Sequence, residues 1–194
     1  MINQKGGVGK TTTVINLASA LSILGQKNLV IDLDPQGNAT TGLGKSNNEE
    51  NKNIYNLLIK KIKIEDAIQK TKLTGLDIIG SNVNLSGLEV ETANDSNRAF
   101  VLKDIIEEEK DGLLSAYDNV FIDCPPSLSL LTIMALVSSK ELLVPLQTEF
   151  FALEGITQLV KTIDRIKMKL NPKLNLRGIL LTMFDKRNKL SSQV

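Results

Sequence analysis

Apolar residues in this chain follow two alternating rhythms. In one they recur every three or four positions. Val14, Leu17, Ala18, Leu21 and Leu24 do so, which predicts a helix over 10–24 with Gly25 as its C-terminal stop. Ile156, Leu159, Val160, Ile163, Ile166 and Leu170 do so within 153–170, a long amphipathic helix. Shorter helical patterns cover 54–58, 64–69, 85–92, 98–109 and 130–138. In the other rhythm apolar residues are contiguous, over 28–34, 76–80, 120–123, 142–146 and 178–183. These read as strands buried on both faces. Such strands alternating with helices predict an α/β fold, a mostly parallel twisted sheet with helices on both faces. Segments 35–40 and 45–53, the second rich in Asn, read as loops. No internal repeat is visible.

Composition narrows the chemistry. The chain has 194 residues, enough for one domain with a sizeable core, and a net charge of +1. A nucleic-acid or membrane surface must therefore be a local patch. Lys60, Lys61 and Lys63 read as a solvated face. There is no histidine, which excludes His general-base chemistry and His metal sites, and a single cysteine, which excludes a disulfide framework. Cys124 reads as an inert buried thiol. No apolar run is long enough to cross a membrane, and the expected compartment is the cytoplasm.

The candidate chemistry sits at the carboxyl ends of the predicted strands, where open α/β sheets bind ligands. Asp32, Asp34, Asp123, Gln147 and Asp185 lie at or just after such ends. The most informative stretch is Lys5-Gly6-Gly7-Val8-Gly9-Lys10-Thr11-Thr12, a glycine-rich turn leading into the first helix. Backbone N–H groups in such a turn converge on an anion, and the helix start adds positive partial charge. Lys10 can reach β- and γ-phosphates, and the Thr11 hydroxyl can ligate Mg²⁺. Asp123, after an apolar run and before Cys124-Pro125-Pro126, is placed as a Walker B carboxylate near Thr11. Asp32 and Asp34, two apart on a strand, face the same side.

The loop departs from the general pattern G-x-x-x-x-G-K-[ST], because Gln4 stands where glycine is usual and an extra lysine, Lys5, precedes Gly6. In this it resembles the deviant Walker A motif of the ParA/MinD class of P-loop ATPases. Asp32-Leu33-Asp34-Pro35-Gln36-Gly37-Asn38-Ala39 is similar to the ParA form of the switch I segment. Asp123-Cys124-Pro125-Pro126-Ser127 and Gln147-Thr148-Glu149-Phe150-Phe151-Ala152-Leu153-Glu154-Gly155 look like ParA/Soj segments. The resemblance implies ATP and Mg²⁺ as ligands, nucleotide contacts from residues 5–12, and Thr11, Asp32 and Asp123 on the metal side. It implies Asp34 as the residue that orients the attacking water. Lys5 would reach the partner's phosphates across an ATP-bound homodimer. Phe150 and Phe151 are expected in core or dimer packing. The implied biology is chromosome or plasmid partitioning, with a ParB-like partner that stimulates hydrolysis and non-specific DNA as the track, hence a nucleoid-associated protein. A MinD-like membrane-cycling ATPase is a weaker match, given the Asp-Pro-Gln-Gly-Asn segment; a non-catalytic nucleotide-binding module is the alternative of another class.

The resemblance also implies a strand before Lys5, too long to fit in Met1-Ile2-Asn3-Gln4, and a basic region after Val194. The expectation is a single P-loop domain incomplete at both ends, unstable as it stands. Lys161, Arg165, Lys167, Lys169, Lys173, Arg177, Lys186, Arg187 and Lys189 read mostly as solvated positions that bind DNA weakly.

Overall fold

A computed structural model describes residues 1–148, 152–185 and 187. The first helix, α1 (Lys10–Ile23), starts from Gly9 in the left-handed conformation at φ 87°. It stops as expected: Leu24 donates to Ala20, and Gly25 takes φ 90°. Strand β1 (Asn28–Asp32) is buried at every position. After α2 (Asn38–Gly42), α3 (Ile54–Leu58) and α4 (Ile64–Ala67) come two short strands, β2 (Ile68–Lys70) and β3 (Leu76–Ile79). A 3₁₀ turn over Val83–Gly87 leads to α5 (Leu88–Glu91) and α6 (Val101–Glu109). The remaining elements are β4 (Asn119–Asp123), α7 (Leu130–Ser138), β5 (Glu141–Gln147), α8 (Ala152–Lys169) and β6 (Asn175–Thr182).

Four strands form one sheet in the order β2-β3-β1-β4, and β5 and β6 form a second. Every pairing is parallel except β2 with β3. Alternation along β1 explains the layering. Val30 points to the side where Val14 and Ala18 of α1 pack, while Leu29 and Ile31 join the opposite core with Leu102 of α6 and Leu131 and Met134 of α7. A third cluster joins Leu142 and Val144 of β5 to Leu159, Ile163 and Ile166 of α8. Within the predicted stripe of α8, Val160 lies outside this buried face, 39% exposed.

The differences from the sequence reading are local. Residues 38–40, read as part of a loop, form the start of α2. The expected helix over 64–69 gives way after Ala67 to β2, an antiparallel edge. The helix expected at 85–92 is divided between the 3₁₀ turn and α5. Phe150, Phe151, Lys186 and Lys189, assigned roles above, lie outside the described residues.

Candidate nucleotide site

The parallel register sets Asp32 directly opposite Asp123, at the ends of β1 and β4. Residues 5–9 form the turn beside them. Gly7 and Gly9 both have positive φ, 74° and 87°, a conformation that costs a side-chain-bearing residue about 1–2 kcal/mol. Thr182 of β6 supports the turn from outside, its hydroxyl donating to the Val8 carbonyl at 2.9 Å. Thr13 ties the turn to the helix, its backbone N–H and hydroxyl both donating to the Gly9 carbonyl.

Lys10 is buried, and its ammonium donates to the Lys5 carbonyl at 2.9 Å, across the turn. Burial lowers its pKa, and Asp123, Cys124 and Asp34 pull the other way. Asp123 is fully buried. Burial raises its pKa, with the Thr11 hydroxyl beside it and the Met1 ammonium nearby favouring the ionised form. Yet neither carboxylate oxygen has a hydrogen-bond partner of ordinary geometry. An orphaned buried carboxylate next to a threonine hydroxyl fits a hydrated Mg²⁺, a cation that takes few protein ligands and keeps its waters. No cluster of three or more acidic or Cys side chains able to hold a metal by itself occurs among the described residues.

The other two aspartates sit differently. Asp34 is almost fully buried; one carboxylate oxygen accepts from the Gln36 N–H at 3.0 Å, and its carbonyl accepts from Gly37. Asp32 is enclosed. One oxygen accepts from both the N–H and the hydroxyl of Thr40, at 2.8 and 2.7 Å, and the other from the Asp34 N–H at 3.1 Å. Burial, partly offset by these bonds, raises its pKa to about 6. The Thr40 hydroxyl in turn accepts from the Ser81 N–H at 2.9 Å. Sequence reasoning missed Thr40 and Ser81. The available signal was that a buried carboxylate needs donors, and Thr40 is the first hydroxyl residue after the turn that follows it. Cys124 is buried, and burial pushes its thiol up to about 11. Asp185 is partly exposed and paired with Arg187 at 2.9 Å, and Lys5 is exposed.

A glycine turn opening onto a helix start, at the carboxyl edge of a parallel α/β sheet, is the architecture of the P-loop nucleotide-binding proteins. Residues 1–176 match the AAA domain family. The chain is 48% identical over 192 residues to the chromosome partitioning protein ParA of Caulobacter vibrioides, covering 99% of this chain and 71% of that protein. It is 44% identical over 193 residues to the chromosome-partitioning ATPase Soj of Treponema pallidum, covering 100% and 74%. Its structure superposes with a TM-score of 0.91 and 35% identity on a Mycobacterium smegmatis protein described as cobyrinic acid a,c-diamide synthase with bound ADP and magnesium, covering 99% of this chain and 76% of that one. The chain belongs to the ParA/Soj family of partitioning ATPases.

Proposed function

We propose that this protein binds and hydrolyses MgATP at the turn of residues 5–12 and uses the cycle to partition a chromosome or plasmid. The observation that carries the reading is the orphaned Asp123 carboxylate beside Thr11 and the buried Lys10, at the start of α1. Gly6, Gly7, Val8 and Gly9 offer backbone N–H groups to the phosphates, Lys10 supplies charge, and Thr12 closes the hollow. Thr11 and Asp123 would hold Mg²⁺, which neutralises charge on the transferred phosphate. Asp34 orients the attacking water, since most catalysis in this class is placement and charge stabilisation. Lys5 acts across an ATP-bound homodimer as a cation supplied in trans.

Asp32 takes a role other than the metal one read from sequence. Its oxygens are committed to Thr40 and Asp34, so it is a positioning residue that fixes α2 and the Asp34 backbone. Lys161, Arg165 and Lys169 stand four apart on exposed positions of α8, a spacing that offers summed phosphate contacts to non-specific DNA. A ParB-like partner would stimulate turnover. No helix among the described residues is long and apolar enough to cross a membrane, and the compartment that goes with this reading is the cytoplasm, on the nucleoid.

The test is Lys10→Ala, with nucleotide affinity and turnover both measured. Losing charge-assisted bonds worth about 1.5–3 kcal/mol weakens ATP binding by about 10–100-fold. Unchanged affinity would remove the basis of the reading. Wild-type binding without turnover, with or without DNA, would favour a non-catalytic nucleotide module instead.

A further inference from the structure

Thr40 is 1% exposed, and every polar atom it carries is engaged. Its N–H and its hydroxyl donate to one Asp32 oxygen, at 2.8 and 2.7 Å. The hydroxyl oxygen accepts from the Ser81 N–H at 2.9 Å, and the carbonyl accepts from the Lys45 N–H at 3.0 Å. A hydroxyl has a single proton to donate, so these partners fix the side chain in rotation as well as in place. The methyl is confined too. A Cβ on Gly80 would lie 3.0 Å from Thr40 Cγ2 and 3.4 Å from its hydroxyl oxygen. Gly80 directly follows β3, which pairs with β1 in parallel, so Thr40 bridges the carboxyl ends of two neighbouring strands.

The segment that Thr40 closes is the one that carries Asp34. It leaves β1 at Asp32, whose other oxygen accepts from the Asp34 N–H at 3.1 Å. It turns at Gly37, φ 64°, where the N–H donates to the Asp34 carbonyl. A Cβ on Gly37 would stand 3.2 Å from the Ser81 carbonyl. Ser81 therefore meets the segment twice, its carbonyl at Gly37 and its N–H at Thr40. The segment then returns to the Asp32 carboxylate at Thr40. Residues 34–40 thus form a loop closed on one carboxylate, with one oxygen at each end, and braced from the side by the residues that follow β3.

We propose that Thr40 is a positioning residue for ATP hydrolysis: by closing this loop onto Asp32 and Ser81 it sets where the Asp34 carboxylate stands. The inference rests on the water-orienting role proposed for Asp34. Thr40 acts through that residue, because its own polar atoms are already committed to protein partners. A group that works by placement is sensitive to small shifts; a misplacement of about 1 Å costs roughly 100-fold in rate. Phosphate binding depends on the separate turn of residues 5–12. Loosening Thr40 should therefore separate the two functions, leaving nucleotide capture in place and slowing the chemical step.

Thr40→Val keeps the shape of the side chain and removes the hydroxyl. It should lower the hydrolysis rate at saturating ATP by about 10–100-fold, with ATP affinity close to that of the wild type. Thr40→Ser keeps the hydroxyl and drops the methyl, and should restore turnover. Gly80→Ala alters no hydrogen-bonding group but presses a methyl against Thr40, and should slow hydrolysis with affinity again unchanged. Rates are normalised to the fraction of each preparation that binds nucleotide, so misfolding, which removes binding and turnover together, is told apart from misplacement. Asp34→Ala is measured alongside. Wild-type turnover in Thr40→Val or, should that variant not fold, in Gly80→Ala, beside an inactive Asp34→Ala, would overturn the proposal alone. So would a loss of ATP affinity that accounts for the whole effect, or a serine variant as slow as the valine one. Full hydrolysis by Asp34→Ala would instead overturn the role of Asp34, and this proposal with it.

Discussion

Asp123→Asn keeps the size of the side chain and removes its charge. In the wild type that charge is fully buried and neither oxygen has a hydrogen-bond partner of ordinary geometry, although the Thr11 hydroxyl and the Met1 ammonium lie close enough to favour it. Leaving a buried polar group unpaired costs about 1–3 kcal/mol, and a charged one more. Part of that gain is offset, because the Lys10 ammonium loses an attractive neighbour. A net gain of about 1–2 kcal/mol raises the midpoint of a chain this size by roughly 2–8 °C. The gain should appear without nucleotide or Mg²⁺, at a pH well above the raised pKa of Asp123. It should reverse when MgATP is added. Ligand binding stabilises by mass action, and the wild type should gain while the variant gains little. The assay is differential scanning fluorimetry of both proteins with and without MgATP, beside steady-state ATPase rates. A lower midpoint for the variant in the ligand-free state would refute the reasoning about the orphaned carboxylate. An equal MgATP shift in both would refute its metal role.

Asp34→Ala should leave ATP affinity close to that of the wild type and cut single-turnover hydrolysis by at least about 100-fold, the lower range for a positioned acid–base group. Near-normal turnover would displace Asp34 from its assigned role. For Asp32, the folded-state pKa of about 6 lies above the ordinary aspartate value of 3.8, so the folded protein holds its proton more tightly than the unfolded chain. Its stabilising contribution is complete below about pH 3.8 and is lost as pH rises through about 6, at up to about 1.4 kcal/mol per pH unit. Denaturant melts across that window should show a shallower pH dependence in Asp32→Asn than in the wild type, and identical slopes would show that Asp32 does not titrate there.

The parts of the structure that can be read from sequence are those in which neighbouring residues decide the outcome. Val14, Ala18 and Leu21 announce α1, and Gly25 announces its end. The glycines and the Lys-Thr pair announce the turn without any tertiary information. The strand-end aspartates follow from where the apolar runs stop. What the sequence hides depends on distant partners. Asn38-Ala39-Thr40-Thr41-Gly42 has poor helix formers, and α2 exists because Thr40 is anchored on Asp32, eight residues back. Ile68-Gln69-Lys70 continues a helical pattern, but its backbone pairs with Asp77, Ile78 and Ile79. The bonds of Asp32 are hidden for the same reason: its oxygens accept from Thr40 and from the Asp34 N–H, partners set by where the chain folds after the strand.

The bond from Lys10 to the Lys5 carbonyl has a consequence for the order of events in an ATPase cycle. A lysine side chain gives up about 1.5–2 kcal/mol of rotamer entropy when it is fixed. Here much of that loss is taken at folding, before any phosphate arrives, so nucleotide capture meets a preorganised ammonium. The same bond makes the turn a mechanical link. On the proposed function, Lys5 is the residue whose side chain would extend toward a second subunit, and its carbonyl accepts the hydrogen bond from Lys10. A pull on Lys5 from across a dimer would therefore be felt by Lys10 within the same loop, giving assembly and nucleotide retention a shared spring only a few bonds long.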